Sequence, residues 1–292
     1  MMESSPGKRF RDVLKVERPL QIAGAINAYS ALQASRAGFK ALYLSGAGVA
    51  NASHGLPDLG ITSLNDVLED AARITAACPV PLLVDIDTGW GTELTIQRAV
   101  RELERAGVAG IHMEDQVAAK RCGHRPGKQL VDIDEMQTRL QAAVSSRRNP
   151  DFVIMARTDA VNVEGLAAAI KRAKAYLAAG AEMIFAEAVE TIEDFRHVCE
   201  AVDAPILANM TEFGRTPSFS LDELRSAGVS MALYPLTAFR AMNAAARMAY
   251  ETIRKDGTQA AILNTLQTRE QLYEVLDYHA MENRIDEQRA KT

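Results

Sequence analysis

Hydrophobic residues along the chain fall into short runs that alternate with longer amphipathic segments. The runs have the length of strands and are apolar almost throughout, as expected for parallel strands covered on both faces. They lie at residues 20–25, 41–45, 81–87, 110–116, 152–159, 183–187, 205–209 and 231–235. Segments with helical spacing lie between them, for example at residues 64–77, 94–106, 136–147 and 166–179. This alternation predicts βα units and a parallel sheet.

A second pattern indicates how many units there are. Four predicted strands follow an Ala-Gly pair and four begin at or shortly after a proline, in strict alternation: Pro19, Ala37, Pro81, Ala106, Pro150, Ala179, Pro205 and Ala227. Glycine in such a pair fits the left-handed residue just beyond a helix. Eight repeated units most simply close into a (β/α)8 TIM barrel. An open doubly wound sheet is the alternative, but Gly46-Ala-Gly48 lacks the third glycine of a dinucleotide-binding loop.

The end of the chain is longer than a barrel requires. Residues 238–254 predict a helix, and residues 257–292 predict a C-terminal helical extension of a single domain that spans residues 1–292. Leu272, Val275, Leu276 and His279 share one helical face, so we expect the extension to pack on something. The sequence allows the extension to pack either on its own barrel or on a partner subunit.

Composition narrows the class of protein. Lys+Arg number 33 against 38 Asp+Glu, so no basic field indicates nucleic acid as a partner. We find no signal peptide and no apolar run long enough to span a membrane. The three cysteines form no paired motif, which predicts reduced thiols in a cytoplasmic protein.

Polar residues stand at the end of nearly every predicted strand. In a barrel of this type the reacting groups lie at the C-terminal ends of the strands. Here those positions hold Tyr43, Ser45, Asp85, Asp87, Glu114, Asp115, Arg157, Asp159, Glu187, Asn209, Thr211 and Tyr234. Charges crowded there are costly unless they are paired or bound to a metal, so we expect a binding or catalytic site.

Asp85 and Asp87 form the sharpest pair among these residues. Two positions apart on a strand, they point to the same side. Two like charges at that spacing call for a cation, and oxygen ligands suit Mg²⁺ or Mn²⁺. Glu114, at the end of the next strand, is a candidate third ligand through water. The alternative is a helix cap and turn, because Thr88-Gly-Trp-Gly-Thr92 follows.

Two features are candidates for binding substrate carboxylates. Arg157 can hold a carboxylate with two hydrogen bonds, although an ion pair with Asp159 or Glu187 is the alternative. The small-residue stretch Ser45-Gly-Ala-Gly48 offers backbone N–H groups, and its alternative is a tight turn. His112 is expected to be structural.

The segment 117–131 is a basic loop that carries one thiol. Cys122 stands among Lys120, Arg121, His124 and Arg125. These cations are expected to favour the thiolate and to tune Cys122 as a general acid or base.

At these residues the chain resembles the isocitrate lyase/phosphoenolpyruvate mutase superfamily. The matching stretches include Tyr43-Leu-Ser-Gly46, Leu56-Pro-Asp-Leu-Gly60, Asp85-Ile-Asp87, Glu114-Asp-Gln116, Lys120-Arg-Cys-Gly-His124 and Met155-Ala-Arg-Thr-Asp159. The resemblance covers essentially the whole chain. The short length and the form of the cysteine motif are more similar to the 2-methylisocitrate lyases than to the longer isocitrate lyases.

The resemblance implies a barrel whose last helix is exchanged between subunits, in a homotetramer of paired dimers. It implies Mg²⁺ organised by Asp85 and Asp87, with Cys122 as a catalytic residue. Tyr43 is our candidate for the base or its relay. The residues implied in substrate binding are Ser45, Gly46, Ala47, Gly123, Arg157, Glu187, Asn209, Met210, Thr211, Arg240 and Arg269.

The function implied is Mg²⁺-dependent cleavage of (2S,3R)-2-methylisocitrate, a tricarboxylate, to pyruvate and succinate in propionate breakdown. Isocitrate differs by one methyl group, and Phe185 and Leu233 are candidate walls for that group. Oxaloacetate decarboxylase and phosphonate mutase activities are further alternatives, disfavoured by the thiol in the loop. Ala47 and Ala186 depart from the glycine and proline expected there and bear on fine substrate preference.

Overall fold

The computed structural model describes residues 4–290, and the outermost residues of the predicted domain and extension, 1–3 and 291–292, lie outside them. Eight parallel strands pair in chain order and close into a barrel, β1 to β8. They are β1 Leu20–Gly24, β2 Ala41–Leu44, β3 Leu82–Asp85, β4 Gly110–Glu114, β5 Val153–Thr158, β6 Met183–Ala186, β7 Ile206–Asn209 and β8 Met231–Tyr234. The predicted (β/α)8 barrel is confirmed, and the open sheet is excluded.

Helices precede and follow these strands, and most of them cover the outside of the barrel. They are α1 Pro6–Val16, α2 Ala28–Arg36, the single turn α3 Gly46–Gly48, α4 Leu64–Ala77, α5 Glu93–Arg105, α6 Ile133–Ser146, α7 Leu166–Ala178, α8 Ile192–Ala201 and α9 Leu221–Ser226. A π-helical turn follows at Val49–Ser53 and a 3₁₀ turn at Ala160–Asn162. Gly107 and Gly180 have φ of 80° and 103°, which confirms the predicted left-handed residue between helix and strand.

The chain divides into two compact units, and the boundary along the sequence lies between Thr237 and Ala238. The second unit holds most of α10 Thr237–Asp256, a 3₁₀ turn at Ala260–Thr265, α11 Arg269–Leu276 and α12 Tyr278–Arg289. Thr268 and Gln271 cap α11 reciprocally. Exchange of these helices between subunits stays a prediction. Among the described residues, no helix combines the length and the apolar character needed to cross a bilayer.

Side chains on the strands alternate between two cores. The outward positions, such as Val84, Ile111 and Ile154, belong to the layer between barrel and helices. The inward positions form a separate core inside the barrel, made of Leu20, Ile22, Ala41, Tyr43, Leu83, Val153, Met155, Met183, Phe185, Leu207, Met231 and Leu233 with others. With a period of two, the inward face continues from these apolar residues to the polar strand ends.

Helix α1 closes the N-terminal end of the barrel. Phe10 is 0% exposed and Leu14 is 6% exposed, and both belong to the core inside the barrel. Pro6 starts the helix, and the Ser5 hydroxyl accepts a hydrogen bond from the Lys8 amide at 3.2 Å. The strands therefore have an apolar closed end and a polar open end.

Phe10→Ala should remove the largest part of this closure. Deleting a buried phenyl ring costs about 3–5 kcal/mol, so we expect a clear drop in the urea midpoint of unfolding measured by circular dichroism. Val16→Ala is the matched control on the same helix, because Val16 is 76% exposed. Equal midpoints for the two variants would show that α1 does not close the barrel.

Candidate active site

Charged side chains are buried together at the C-terminal mouth of the barrel. The buried carboxylates of Asp85, Asp87, Glu114, Asp159 and Glu187 lie there with the cations of Lys120, Lys128 and Arg157. Asp58 adds a further carboxylate against Lys120. If all are ionised, negative charge is in excess, and a bound cation would reduce that excess, since buried charges need compensation.

Arg157 lies at the centre of this cluster. Its Nε and Nη2 donate to Asp159 at 3.0 and 3.2 Å, and Nη2 also lies 3.2 Å from Glu187 and 3.4 Å from Glu114. The guanidinium carbon is 5.0 Å from the centre of the Phe185 ring. Burial opposes the charge, but the three carboxylates outweigh it and raise the pKa of Arg157 well above its ordinary value. The ion-pair alternative for Arg157 is therefore present, and substrate binding stays a prediction.

Asp85 and Asp87 lie at and just beyond the end of β3 and are tied to each other. An Asp85 oxygen accepts from the Asp87 amide at 3.0 Å. Its other oxygen accepts from the Gly46 amide at 3.1 Å and from the Tyr43 hydroxyl at 3.4 Å. Asp87 has φ of 49°, a left-handed conformation that few residues other than glycine adopt. Such strain outside glycine often marks a functional site.

The loop after β2 packs directly against this pair. Ser45 is 7% exposed, Gly46 is buried and Ala47 is partly buried. A Cβ atom at Gly46 would lie 3.1 Å from an oxygen of Asp87 and 3.3 Å from one of Asp85. The predicted binding loop and the predicted metal ligands therefore share one surface.

The three acids predicted as metal ligands differ in their ionisation. Burial opposes the charge of Asp85, but its neighbours, among them the cations Lys120 and Arg157, outweigh it and lower its pKa. Burial, followed by the charge of Asp85, raises the pKa of Asp87 to about 6. Burial also raises the pKa of Glu114 well above its ordinary value. A bound cation would lower the pKa of the second and third carboxylates.

The oxygens of these acids fit a hydrated Mg²⁺. Both carboxylate oxygens of Glu114 are buried and accept no hydrogen bond from the described residues. The Lys120 ammonium lies 2.6 Å from Asp87 and 2.5 Å from Asp58, so a cation already stands beside the pair. Within residues 4–290, no three Asp, Glu, His or Cys side chains converge closely enough to hold one ion. Mg²⁺ does not require such a cage, because it keeps several waters and binds one or two carboxylates.

His112, expected to be structural, contacts the predicted relay. Its Nε2 lies 2.7 Å from the Tyr43 hydroxyl, the two rings stack at 5.6 Å, and Asp85 is 3.7 Å away. Burial lowers the pKa of His112 to about 4, so the imidazole is neutral at pH 7. Burial and Asp85 raise the pKa of Tyr43 well above its ordinary value. Tyr43 therefore stays a phenol, which favours a relay over an ionised base.

The basic loop lies over the mouth. A Cβ at Gly123 would fall 2.4 Å from an Arg157 nitrogen and 2.6 Å from a Glu187 carbon, so only glycine fits there. His124 accepts from the Arg215 amide at Nδ1, at 3.0 Å, and its Nε2 lies 3.1 Å from Glu187. That acceptor role places the ring proton on Nε2, facing the carboxylate. Burial opposes ionisation of Glu187, but Arg157 and His124 lower its pKa well below the ordinary value.

The state of Cys122 corrects one expectation. Burial raises the pKa of the Cys122 thiol above its ordinary value, so the predicted shift toward thiolate is wrong. The nearby cations are engaged elsewhere: Lys120 with two carboxylates, Arg121 with the Pro126 carbonyl and His124 with Glu187. A protonated thiol suits a proton donor.

Strand β7 contributes an amide to the mouth. The Asn209 side chain donates to the two Glu187 oxygens at 3.4 and 3.3 Å, and Met210 and Thr211 follow it directly. Arg240 and Arg269 belong to the second unit, on α10 and at the start of α11, and are exposed. Their part in the site stays a prediction.

Two contacts of the mouth involve residues to which the sequence assigned no individual role. Asp58 binds Lys120 and Lys128 binds Asp159, each with a buried ammonium group. Asp58 stands inside the Leu56-Pro-Asp-Leu-Gly60 stretch, so that motif was an available signal. For Lys128, the sequence showed only that it is a cation in the basic loop.

Comparison with known proteins agrees with this geometry. The profile of the family described as phosphoenolpyruvate phosphomutase matches residues 10–254. The chain belongs to this family. The 2-methylisocitrate lyase of Shewanella oneidensis is 59% identical over 286 residues, covering 98% of each chain. The chain is accordingly an enzyme of the isocitrate lyase/phosphoenolpyruvate mutase superfamily.

Solved structures extend the likeness to other activities in the family. A 2,3-dimethylmalate lyase, described as a PEP mutase/isocitrate lyase superfamily member, shares 36% identity at a TM-score of 0.88, covering 96% of this chain and 94% of that one. An oxaloacetate acetylhydrolase in complex with 3,3-difluorooxalacetate shares 33% identity at a TM-score of 0.90, covering 97% of both. One barrel therefore serves several substrates in this family.

The raised pKa of Cys122 predicts how the thiol reacts with iodoacetamide. Only the thiolate is nucleophilic, so alkylation of Cys122 should be slow at pH 7 and should accelerate as the pH passes above the ordinary thiol range of about 8.5. Mass spectrometry of the peptide that contains Cys122 gives the rate at each pH. Rapid alkylation that is already independent of pH at pH 7 would contradict the assignment.

Proposed function

We propose that this enzyme cleaves (2S,3R)-2-methylisocitrate to pyruvate and succinate, as a lyase of propionate breakdown. The observation that carries the proposal is the protonated Cys122 loop, held over a mouth that combines Arg157 with the Asp85 and Asp87 pair. The 59% identity to a protein named 2-methylisocitrate lyase supports the same substrate.

Mg²⁺, or Mn²⁺ in its place, is part of the proposal. Asp85 and Asp87 would hold the ion, and Glu114 would reach it through water, since its oxygens are buried without hydrogen bonds from the described residues. When bound, the ion would supply Lewis-acid polarisation of the substrate hydroxyl and carboxylate. The excess of negative charge in the mouth supports a divalent cation.

Tyr43 is the proposed relay for the hydroxyl proton. Its oxygen lies 2.7 Å from the neutral His112 ring and 3.4 Å from Asp85, so it can pass a proton along these contacts. Breaking the carbon–carbon bond moves negative charge onto the succinate half. Arg157 and Asn209 would stabilise that charge, and the support is that both bind the carboxylate of Glu187 through N–H groups.

Cys122 would then protonate the carbon of the succinate half. The thiol carries its proton at neutral pH, since burial raises its pKa. The closed loop would exclude water during that step. Gly123 brings the loop close enough for this, because its missing Cβ leaves room for Arg157 and Glu187.

Substrate choice would depend on one methyl group. Phe185 and Leu233 are the proposed walls for it, and both lie in the core inside the barrel, below the polar layer. Discrimination against isocitrate through such contacts is worth roughly 1–3 kcal/mol. A preference of about tenfold or more for the methylated substrate is therefore the expected outcome.

Assembly and location remain proposals as well. We propose a homotetramer with exchanged C-terminal helices, and the support is that α10 has no fully buried residue in the described chain. Arg240 and Arg269 would then complete a substrate site. The free thiols of Cys78, Cys122 and Cys199 support a cytoplasmic location.

Pyruvate release from both tricarboxylates, with and without EDTA, tests the activity. We expect release from 2-methylisocitrate to exceed release from isocitrate and to stop in EDTA.

Cys122→Ser should lose turnover by about 10²–10⁴-fold, since it removes the proton donor, while substrate binding measured by calorimetry persists. Cys199→Ser is the control away from the mouth. Normal turnover of Cys122→Ser would remove the thiol from the mechanism.

Thermal unfolding tests the cation site without any turnover. MgCl₂ added to EDTA-treated protein should raise the melting temperature, because binding to the folded state alone stabilises it. Asp87→Asn should weaken this response, and it tolerates the left-handed backbone at that position. Asp222→Asn, on the exposed surface of α9, is the matched control. An unaltered Mg²⁺ response in Asp87→Asn would exclude Asp87 as a ligand.

A further inference from the structure

The two ends of the basic loop, residues 117–131, and its tip around Cys122 are held by different contacts. Its ends are fixed by backbone hydrogen bonds, from Val117 to the Gln129 carbonyl at 3.0 Å and from Val131 to the Asp115 carbonyl at 2.9 Å. At its tip, a hydrogen bond from the Arg125 amide to the Cys122 carbonyl at 2.9 Å closes a turn. That bond shapes the tip, and two other contacts hold the tip through side chains: His124 lies 3.1 Å from Glu187, and the Gln116 amide exchanges hydrogen bonds with the Arg121 backbone at 2.9 and 3.0 Å.

Lys128 joins the tip to the end of a barrel strand. Its Nζ donates to the Gly123 carbonyl at 2.6 Å and to an Asp159 oxygen at 2.9 Å. The Lys128 side chain is 3% exposed and that of Asp159 is 0% exposed. A buried ammonium group with both acceptors in place is a specific contact, because an unpaired charge at this depth would be strongly unfavourable.

Asp159 is itself fixed and is shared with the mouth. Its amide donates to Asp115 at 2.9 Å, and Asp115 also accepts from Thr158 and Tyr176 at 2.7 and 2.8 Å. The Asp159 carboxylate accepts hydrogen bonds from Arg157 as well as from Lys128. One carboxylate therefore sets the position of the guanidinium and of the loop carbonyl together.

We propose that Lys128 is a positioning residue that holds the Cys122 thiol over the mouth through Gly123 and Asp159. Gly123 is the neighbour of Cys122, and its backbone sits against Arg157 and Glu187 with no room for a Cβ. A carbonyl held at that point fixes the peptide from which the thiol projects. The catalytic part of the inference rests on the proposed function, whereas the effect on the loop does not.

Lys128→Met tests this by keeping the length of the side chain and removing its charge. Asp159 keeps its two bonds from Arg157, so the mouth retains its central ion pair. Without the contact to Gly123 the loop should open more often, and Cys122 should react with DTNB at least about tenfold faster. Lys174→Met, on the exposed face of α7, is the matched control and should react at the wild-type rate. Comparison with Cys122→Ser isolates the signal of this thiol from those of Cys78 and Cys199.

Turnover gives the second measurement. A misplaced proton donor should lower kcat by about 100-fold and leave KM little changed, because the groups that bind substrate are retained. If wild-type protein cleaves neither tricarboxylate, the proposed function fails and the DTNB rates still decide the role of Lys128. Lys128→Gln serves in the same two measurements if the Met variant does not fold, as judged by circular dichroism. A wild-type DTNB rate in a folded Lys128 variant would overturn the inference.

Discussion

Compensation of buried charge in the barrel mouth is the constraint on which the site depends. Arg157 is the common partner of Glu114, Asp159 and Glu187, and removal of any member leaves the others unbalanced in a poorly hydrated space. The barrel supplies the geometry, because β5 lies between β4 and β6 and pairs Glu114 directly with Arg157. Strand register therefore fixes the electrostatics of the mouth.

The fold was largely predictable because its signals are local. Each strand is a short apolar run, and the Ala-Gly pairs before β4 and β6 place a left-handed glycine at 107 and 180. The strand ends were predictable for the same reason. Asp85 and Arg157 stand two residues beyond the inward-facing Leu83 and Met155, so a period of two brings them into the barrel mouth.

The contacts of the loop could not be predicted in this way. Lys120 meets Asp58 across 62 positions in the sequence, and Lys128 meets Asp159 across 31. Neither spacing follows from periodicity, because the path of an irregular loop depends on what it packs against. The ionisation of Cys122 was predicted wrongly for a related reason. Neighbouring cations in sequence were counted as its partners, whereas in space Lys120 and His124 contact carboxylates and Arg121 donates to a carbonyl.

The shared inward face also governs which changes in length the chain can absorb. The apolar residues inside the barrel and the polar residues at its mouth lie on the same side of each strand. On β6, for example, Phe185 lies in the core inside the barrel, and Glu187 follows it two positions later at the mouth. Inserting or deleting a single residue within a strand would turn every side chain beyond that point to the opposite side, placing the charged strand end against the helices outside the barrel. Variation in length is thereby confined to the connections, and the loops can diverge while the scaffold beneath them stays unchanged.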